Sequence, residues 1–324
     1  MRLLTPLDFV DVWFKIKERG LYFVAKKLIS NTEQRIKSTW NEDTLPSSNW
    51  WQVNKVRARW NMLITGDENT LYPDYFVNKY LKNKTRLQLL SIGCGTGKRE
   101  IEFAKHACFE QVLAIDIAPK TIQEAQESAK ALNLKNCTFA VADVYKESFE
   151  SSKFDVVLFH SSLHHFSQID KLLTRIRKTL KPDGLLIINE YVGANRFQYD
   201  KARMNRVAKV YQTVIPEKFK KRKFSNSIKK RVYFPGLLRM VIADPSEAVE
   251  ANSILPILSK QFTLLEQKNY GGNLLTFALK DIAHNFNTDE AIPVLQKLFA
   301  LEDELMKEEN KSDYVFAVYK NNLG

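Results

Sequence analysis

Alternating glycines after an apolar segment constrain this chain more than any other feature. Residues 89–92 are mostly apolar, and Gly93, Gly95 and Gly97 follow them. Because glycine lacks a Cβ, the backbone here can adopt positive φ and approach a ligand closely. The next seven residues have helical character, so the first N–H groups of a helix would face this turn. The segment therefore predicts a strand, a tight turn and a helix start that together bind a small molecule.

The spacing of the turn argues against one kind of ligand. Dinucleotide-binding turns follow the pattern Gly-x-Gly-x-x-Gly, whose last glycine lets the helix pack close to the strand. Here Lys98 stands where that glycine is required. A pyrophosphate ligand is therefore not expected.

Polar residues close the next three apolar segments of the chain. These segments end in Asp116, Asp143 and His160. In sheets built from alternating strands and helices, the carboxyl ends of parallel strands meet at one edge. A carboxylate at the end of the second strand can accept hydrogen bonds from two sugar hydroxyls. These residues therefore predict a nucleoside site at that edge.

In this order and spacing, the chain resembles the class I S-adenosylmethionine-dependent methyltransferases over roughly residues 60–194. The resemblance implies an α/β fold with a Rossmann-like seven-stranded sheet, mostly parallel, with an antiparallel last strand and helices on both faces. It also implies S-adenosylmethionine as the cofactor and S-adenosylhomocysteine as the product.

The resemblance further implies a role for each motif. The glycine turn would hold the methionine part of the cofactor, Asp116 the ribose and Asp143 the adenine amino group. Many family members carry an acidic residue at the position of Ser91, so contact with the cofactor's amino group must be weaker here or come from elsewhere. The predicted cofactor-binding residues are Trp60, Gly93, Cys94, Gly95, Thr96, Gly97, Asp116, Ile117, Asp143, Val144 and His160.

Three of the five histidines lie within six positions, as His160, His164 and His165. They fall at the edge where the transferred methyl group would be presented. A neutral imidazole can remove a proton from a hydroxyl or ammonium acceptor near neutral pH. We predict a catalytic role for them, with His164 or His165 as the base; the alternative is that they orient the loop or cap the next helix. No metal site is predicted.

Three further residues are predicted to contact the substrate. Glu190 and Tyr191 follow the fifth apolar strand, and Tyr270 precedes a pair of glycines. The alternatives are that Glu190 is a structural partner for a helix N-terminus and that Tyr270 belongs to a plain turn. Residues 244–247 are interpreted as a helix start.

The positive charge of the chain is concentrated in one segment. Residues 196–231 hold thirteen Lys or Arg and two acids, and so carry +11 of the net charge of +12. The segment lies where this fold often inserts substrate-binding elements. Three interpretations remain open: a lid that attracts an anionic substrate, a contact for nucleic acid, or a solvated basic helix.

Two parts of the chain are predicted. Residues 1–84 would form an N-terminal helical cap, and residues 85–324 the methyltransferase domain, with the basic insertion at 195–235. In the cap, Phe9, Trp13 and Ile16 share one helical face. The cap also contains four tryptophans that need an apolar environment: Trp40, Trp50, Trp51 and Trp60. Two interpretations remain open: these rings pack the N-terminal helices onto the sheet, or Trp60, Asn61 and Tyr75 line the cofactor pocket or its lid.

The cysteines and the hydropathy pattern predict a compartment. Cys94, Cys108 and Cys137 have no paired spacing, which suits a reducing cytosol and neither a disulfide framework nor a zinc site. Asp8 and Asp11 interrupt the apolar run at the N-terminus. No stretch approaches the ~20 apolar residues of a membrane span. We therefore expect a cytoplasmic protein.

The resulting hypothesis is methyl transfer from S-adenosylmethionine to an O or N atom of a small or peptide-sized metabolite. The basic segment favours an anionic or carboxylate-bearing acceptor. The first alternative is an RNA or tRNA methyltransferase, although the chain has no Asn-Pro-Pro-Tyr-like tetrapeptide and no cysteine pair for such chemistry. The second is a protein that binds the cofactor without turnover.

Overall fold

A seven-stranded sheet forms the centre of the protein. The computed structural model describes residues 2–5, 8, 9, 13, 48–223 and 227–322. The predictions for Ile16 and Trp40 lie outside these residues. Within them the strands are β1 Leu87–Ile92, β2 Phe109–Asp116, β3 Cys137–Val141, β4 Phe154–His160, β5 Leu180–Tyr191, β6 Thr263–Gly271 and β7 Tyr314–Lys320.

The order of the strands is β3-β2-β1-β4-β5-β7-β6. Strands β1 to β5 pair in parallel, and β7 pairs antiparallel with both β5 and β6. The last strand of the chain is thus the antiparallel one. The predicted fold class is confirmed.

Helices connect the strands and cover both faces of the sheet. Those in the described ranges are α1 Asn54–Thr65, α2 Tyr72–Tyr80, α3 Lys98–Ala104, α4 Pro119–Ala131, α5 Ile169–Thr179, α6 Lys201–Val214, α7 Leu237–Ala243, α8 Ile254–Gln261, α9 Leu275–Ala278 and α10 Ile292–Glu309. None of these helices is long and apolar enough to cross a membrane.

The central strands are apolar on both faces because helices pack on each side. Val156 and Leu158 of β4 lie in one hydrophobic cluster with Phe76 of α2. Val157, between them, lies in another cluster with Leu172 of α5. Full burial of such side chains contributes about 1.5–3 kcal/mol each. Helix α2, from the predicted cap, therefore shares a core with the sheet.

A second core lies around the basic segment. Val207, Val210 and Tyr211 of α6 are buried in one cluster with Leu295 and Leu298 of α10. Helix α6 thus has one apolar face against the C-terminal helix. The segment is part of the folded protein and not a separate basic helix in solvent.

Candidate active site

The glycine turn adopts a conformation that residues with a Cβ rarely accept. The φ angle is +75° at Gly93, +53° at Gly95 and +71° at Gly97, all in the left-handed region. The N–H groups of Gly93 and Cys94 donate to the carbonyl oxygen of Ile115 at 2.8 and 3.1 Å. The turn is therefore fastened to β2 and leads directly into α3.

The three glycines differ in their surroundings. A Cβ on Gly93 would lie 2.6 Å from the Cβ of Ser162, and one on Gly97 would lie 2.8 Å from the Cβ of Ala125. A Cβ on Gly95 would meet no heavy atom within 4 Å. Gly93 and Gly97 thus permit close packing inside the protein, whereas Gly95 faces open space.

The carboxylate of Asp116 is fixed beside this space. Its Oδ2 accepts a hydrogen bond from the Gly95 N–H and its Oδ1 accepts one from the Ala118 N–H, each at 2.9 Å. Each carboxylate oxygen has two lone pairs. Asp116 can therefore accept two more hydrogen bonds, as a pair of ribose hydroxyls would require, without changing its orientation.

Asp143 lies two residues beyond β3, the neighbour of β2. Its Oδ1 accepts a hydrogen bond from the Tyr145 N–H at 3.0 Å, and its Oδ2 lies 3.3 Å from Nζ of Lys146. The adjacent Val144 is buried and Ile117 is half-buried. The two predicted carboxylates thus follow neighbouring strands at the same edge.

A buried carboxyl group lies between the strand before the turn and the helix after it. Oε1 of Glu100, in the first turn of α3, accepts a hydrogen bond from Oγ of Ser91 at 2.6 Å, and both residues are 1% exposed. Burial raises the pKa of Glu100 to about 7, although the hydrogen bond from Ser91 acts in the opposite direction. A carboxyl group is therefore present here despite the serine at position 91.

The structure argues against His160 as a catalytic base. Its ring stacks on Tyr72 of α2, with the centroids 5.6 Å apart. Its Nδ1 is buried and has no hydrogen-bond partner among the described residues. Burial lowers the pKa of His160 to about 3, so it would accept a proton poorly at neutral pH. Its contacts are those of a packing residue.

Glu190 organises the loop that follows β4. It is fully buried, and its Oε1 accepts hydrogen bonds from the N–H groups of Ser162 and Leu163 at 2.6 and 2.7 Å. Its Oε2 lies 2.7 Å from Nδ1 of His164. These contacts argue against the predicted contact of Glu190 with substrate, because both oxygens are engaged inside the protein. Glu190 instead orients His164 through Nδ1.

The two neighbouring imidazoles differ in proton affinity. Burial opposes protonation of His164, but the charge of Glu190, its hydrogen bond and the charge of Glu247 outweigh burial and raise the pKa of His164. Burial and the charge of His164 lower the pKa of His165. The ring centroids lie 4.2 Å apart, so only one of the two rings readily takes up an additional proton and becomes positively charged.

The loop between α7 and α8 packs against these histidines. Nδ1 of His165 lies 3.2 Å from Oγ of Ser246, whose hydroxyl donates to Oδ1 of Asp244 at 2.6 Å. Oε1 of Glu247 lies 3.7 Å from Nε2 of His164. The predicted helix start at 244–247 is wrong: Asp244 caps a turn through the Ser246 N–H, and α8 begins at Ile254.

Two side chains hold this loop in place. The guanidinium of Arg196 donates to the carbonyl oxygens of Asp244, Pro245 and Glu247 at 2.6–3.3 Å. The carboxylate of Glu250 accepts hydrogen bonds from the N–H groups at the start of α5, at 2.9 and 3.1 Å. The position of the loop is therefore set by the protein itself.

Tyr191 and Tyr270 are buried, and protein groups engage both hydroxyls. The Tyr191 hydroxyl donates to the carbonyl oxygen of Ala194 at 2.8 Å and lies 2.7 Å from the hydroxyl of Tyr199. The Tyr270 hydroxyl donates to Oδ1 of Asn189 at 2.6 Å. Their predicted contact with substrate is not supported, because these interactions hold them in the core.

Trp60, on α1, belongs to an aromatic cluster. Its ring contacts those of Trp50 and Tyr270, with centroids 4.6 and 5.5 Å away. Tyr270 is on β6, and the buried Trp50 lies shortly before α1. These ring contacts favour packing for Trp60 over a contact with the cofactor.

Acidic residues of the C-terminal part neutralise much of the basic segment. Nη1 of Arg203 lies 2.7 Å from Oδ2 of Asp313, and both side chains are 2% exposed. Further ion pairs join Arg203 to Glu309, Arg206 to Glu304 and Glu308, Lys218 to Glu290, and Arg222 and Lys229 to Asp281. Within the described residues, at least five of the thirteen cations therefore have acidic partners, which weakens the interpretation as an anion-attracting lid.

This fold and strand-edge site define an α/β protein that binds a nucleoside-like cofactor. Residues 83–271, more than half of the chain, match a family described as "Methyltransferase domain". The chain belongs to the class I S-adenosylmethionine-dependent methyltransferases and is an enzyme of that family, with S-adenosylmethionine as its cofactor.

Similar curated proteins act on different acceptors. The sterol 4-C-methyltransferase of Caenorhabditis elegans is 30% identical over 121 residues, 37% of this chain and 36% of that protein. The malonyl-[acyl-carrier protein] O-methyltransferase of Acetivibrio thermocellus is 29% identical over 127 residues, 38% and 44% of the two chains. The matches thus span about two fifths of the length of these relatives.

A solved structure resembles the whole fold. The [4+2]-cyclase SpnF has a TM-score of 0.50 and 16% identity, over 93% of this chain and 95% of that one. At this identity the similarity shows the fold alone.

The strand edge fits the cofactor of the family. Open space at Gly95 leaves room for its aminoacyl part, and Asp116 has lone pairs for its sugar hydroxyls. The buried Glu100 could neutralise a nearby ammonium group. These acceptors match the sugar hydroxyls and the ammonium group of S-adenosylmethionine.

Sequence reasoning missed several residues at this edge. They are Tyr72, Glu100, Arg196, Asp244, Ser246 and Glu247. Glu100 had a weak signal, since it follows the glycine turn by three positions in the first turn of a helix. The others make contacts with residues far along the chain, such as Tyr72 with His160 and Ser246 with His165, and no local pattern marks those contacts.

Proposed function

We propose that this enzyme transfers the methyl group of S-adenosylmethionine to an O or N atom of a small or peptide-sized metabolite, at the His164 side of the cofactor. The observation that carries the proposal is how the loop after β4 meets the glycine turn. Oγ of Ser162 donates to the carbonyl oxygen of Ile92 at 2.7 Å, and its Cβ limits the space at Gly93. His164 and His165 follow directly, so the acceptor end adjoins the cofactor end.

The proposed cofactor contacts are those predicted residues that lie at the glycine turn and at the ends of β2 and β3. Gly93 to Gly97, with Cys94 and Thr96, would hold the aminoacyl end. Asp116 would bind the ribose, Asp143 the adenine amino group, and Ile117 and Val144 its faces. Burial raises the pKa of the Cys94 thiol, so this thiol serves as a small neutral side chain and not as a nucleophile.

The acceptor end is proposed to be the cluster of His164, His165 and Glu247. When bound, S-adenosylmethionine supplies a methyl group on a positively charged sulfur, and alignment of the acceptor can contribute about 7–11 kcal/mol. The cluster would control the protonation of the acceptor atom. Because Asp244, Glu190 and Glu247 make this end acidic, a hydroxyl or amine acceptor is favoured over a free carboxylate.

A cytosolic setting is also proposed, because Cys94, Cys108 and Cys137 are free thiols. The partner would be a small-molecule or peptide substrate. The ion pairs of the basic segment give RNA methylation no specific support.

Two measurements test this function. Calorimetry with S-adenosylhomocysteine should show binding that Asp116→Ala weakens by at least about tenfold, which corresponds to ~1.4 kcal/mol. Tritium from methyl-labelled cofactor should then move into a small-molecule fraction of a metabolite extract. Binding without transfer to any fraction would favour the non-catalytic alternative, and no binding would contradict the proposal altogether.

A further inference from the structure

We propose that His164, His165 and Glu247 form a binding site for one divalent metal ion at the acceptor end. One potential ligand atom from each side chain lies within 4.8 Å of the other two. Donors that bind one ion at ~2.1 Å are at most about 4.2 Å apart. Small side-chain rotations would therefore bring all three to a common ion. This inference rests on the proposed function, because it assigns a task to the same cluster.

The surroundings of His164 match those of a metal ligand. Ligating histidines nearly always have a hydrogen-bond partner at the second ring nitrogen, which fixes the ring orientation. Nδ1 of His164 has such a partner in Oε2 of Glu190 at 2.7 Å. Glu190 is itself held by two backbone N–H groups. This arrangement directs Nε2 toward Glu247, whose Oε1 is 3.7 Å away.

His165 is supported in a similar way. Oγ of Ser246 lies 3.2 Å from its Nδ1, and the same hydroxyl donates to Asp244. Asp244 also accepts a hydrogen bond from the backbone N–H of Ser246 at 2.9 Å. Each imidazole is therefore linked to a carboxylate: His164 contacts Glu190 directly, and His165 reaches Asp244 through the hydroxyl of Ser246.

The third ligand is on a loop that is already fixed. Arg196 holds the carbonyl oxygens of the loop, and the N–H of Val249 donates to the carbonyl oxygen of His164 at 3.2 Å. The Glu247 side chain is 25% exposed, whereas that of His164 is 9% exposed. An ion could therefore enter past Glu247 without unfolding of the loop.

The charge of the cluster also favours a cation. Three carboxylates, from Glu190, Asp244 and Glu247, surround two imidazoles. The charge of Arg196 lies nearby but is directed at main-chain carbonyl oxygens. A divalent ion would offset the repulsion among these acids. Two imidazole nitrogens and one carboxylate oxygen suit Zn²⁺, Mn²⁺, Fe²⁺ or Co²⁺ better than Ca²⁺ or Mg²⁺.

Such an ion would give the acceptor end a specific preference. Three protein ligands leave at least one coordination position for an oxygen or nitrogen of the substrate. A divalent ion lowers the pKa of a bound hydroxyl by several units. The site would therefore select acceptors with an alcohol or phenol oxygen near the cofactor.

The test uses the full, untagged chain after dialysis against a chelator. Co²⁺ and Zn²⁺ are titrated separately, with visible absorption for Co²⁺ and calorimetry plus elemental analysis for Zn²⁺. We expect one ion per chain. Glu247→Gln and His165→Gln should each weaken binding by at least about tenfold, while His106→Gln should bind as the wild type does. His106 is the control because it pairs with Asp74, away from the cluster.

Circular dichroism identifies variants that fail to fold. If His165→Gln does not fold, Glu247→Gln still tests the proposal, because the Glu247 side chain is partly exposed and its replacement should be tolerated. The absence of stoichiometric Co²⁺ and Zn²⁺ binding in the folded wild type would overturn the proposal. Equal losses of metal affinity in His165→Gln and His106→Gln would also overturn it. Calorimetry with S-adenosylhomocysteine on the metal-free protein separates the two proposals: cofactor binding without metal binding refutes this one and leaves methyl transfer intact.

Discussion

The hydroxyl of Ser91 donates a hydrogen bond of 2.6 Å to the buried carboxyl group of Glu100, across the glycine turn from β1 to α3. The pair places a carboxyl group where the sequence has a serine. Because the hydroxyl and the helix N-terminus only partly offset the loss of water, Glu100 retains its proton up to about pH 7. The turn therefore carries a titrating group that a bound ammonium would influence.

The first prediction concerns this carboxyl group and pH. An unfolded Glu ionises near pH 4.5, whereas Glu100 in the fold ionises near 7. The folded state thus binds more protons in this window, so the free energy of unfolding falls as pH rises through it. Glu100→Gln should remove this decline and stabilise the ligand-free protein near pH 8 by up to about 3 kcal/mol.

Urea denaturation near pH 5 and pH 8 measures this effect. Glu102→Gln is the matched control, because Glu102 is on the same helix in a half-exposed ion pair with Lys105. A pH dependence of unfolding that is the same in the wild type and Glu100→Gln would contradict the prediction.

The second prediction separates binding from packing within the glycine turn. Gly95→Ala adds a Cβ to open space at φ +53°, which costs about 1–2 kcal/mol and leaves the fold intact. We expect its affinity for S-adenosylhomocysteine to fall by at least about tenfold. Gly97→Ala places its Cβ against Ala125 and the ring of Phe139, so its melting temperature should fall further. Equal affinities of wild type and Gly95→Ala would show that the ligand does not approach this glycine.

The sequence predicted the fold and the cofactor edge because both depend on local pattern. Positive φ at Gly93, Gly95 and Gly97, and a second strand that ends in Asp116, follow from neighbouring residues. The contacts of Trp60 could not be predicted, because aromatic density does not indicate which strand a ring will contact. The histidines near His160 in the sequence suggest a catalytic role for it, whereas its burial depends on Tyr72 of α2.

The acceptor end could not be predicted in the same way. The carboxylate of Glu190 reaches the backbone of Ser162, 28 residues earlier. Nδ1 of His165 meets Ser246, 81 residues later. Arg203 of the basic segment pairs with Asp313, which lies 110 residues later. Such long-range pairs form only when the complete sheet is packed, so no local sequence pattern predicts them.

The third prediction concerns Glu190 as an organiser of the loop. Glu190→Gln keeps one acceptor oxygen for the Ser162 and Leu163 N–H groups but presents an amide to Nδ1 of His164. Because a buried hydrogen bond to a charged acceptor is lost, stability should fall by about 1–3 kcal/mol. Hydrogen exchange of the 161–165 segment should also become faster.

Glu250→Gln serves as the comparison, since Glu250 caps α5 through a similar pair of N–H contacts but is half-buried. Glu250→Gln should lower the free energy of unfolding by less than Glu190→Gln does. If Glu190→Gln leaves the exchange of 161–165 unchanged, Glu190 does not hold that loop.

The last prediction divides the basic segment into structural and exposed cations. Arg203→Leu leaves Asp313 buried without its partner, and breaking a buried pair in this way costs about 3–5 kcal/mol. Lys218→Ala removes a pair with Glu290 whose side chains are 55% and 66% exposed, so stability should change by less than about 1 kcal/mol. Urea denaturation of both variants measures the difference. An Arg203→Leu variant as stable as the wild type would contradict the structural role assigned to this segment.

Lys218 is accessible to solvent, so a nucleic-acid surface here would give salt-dependent RNA retention that Lys218→Ala weakens. We expect no such retention.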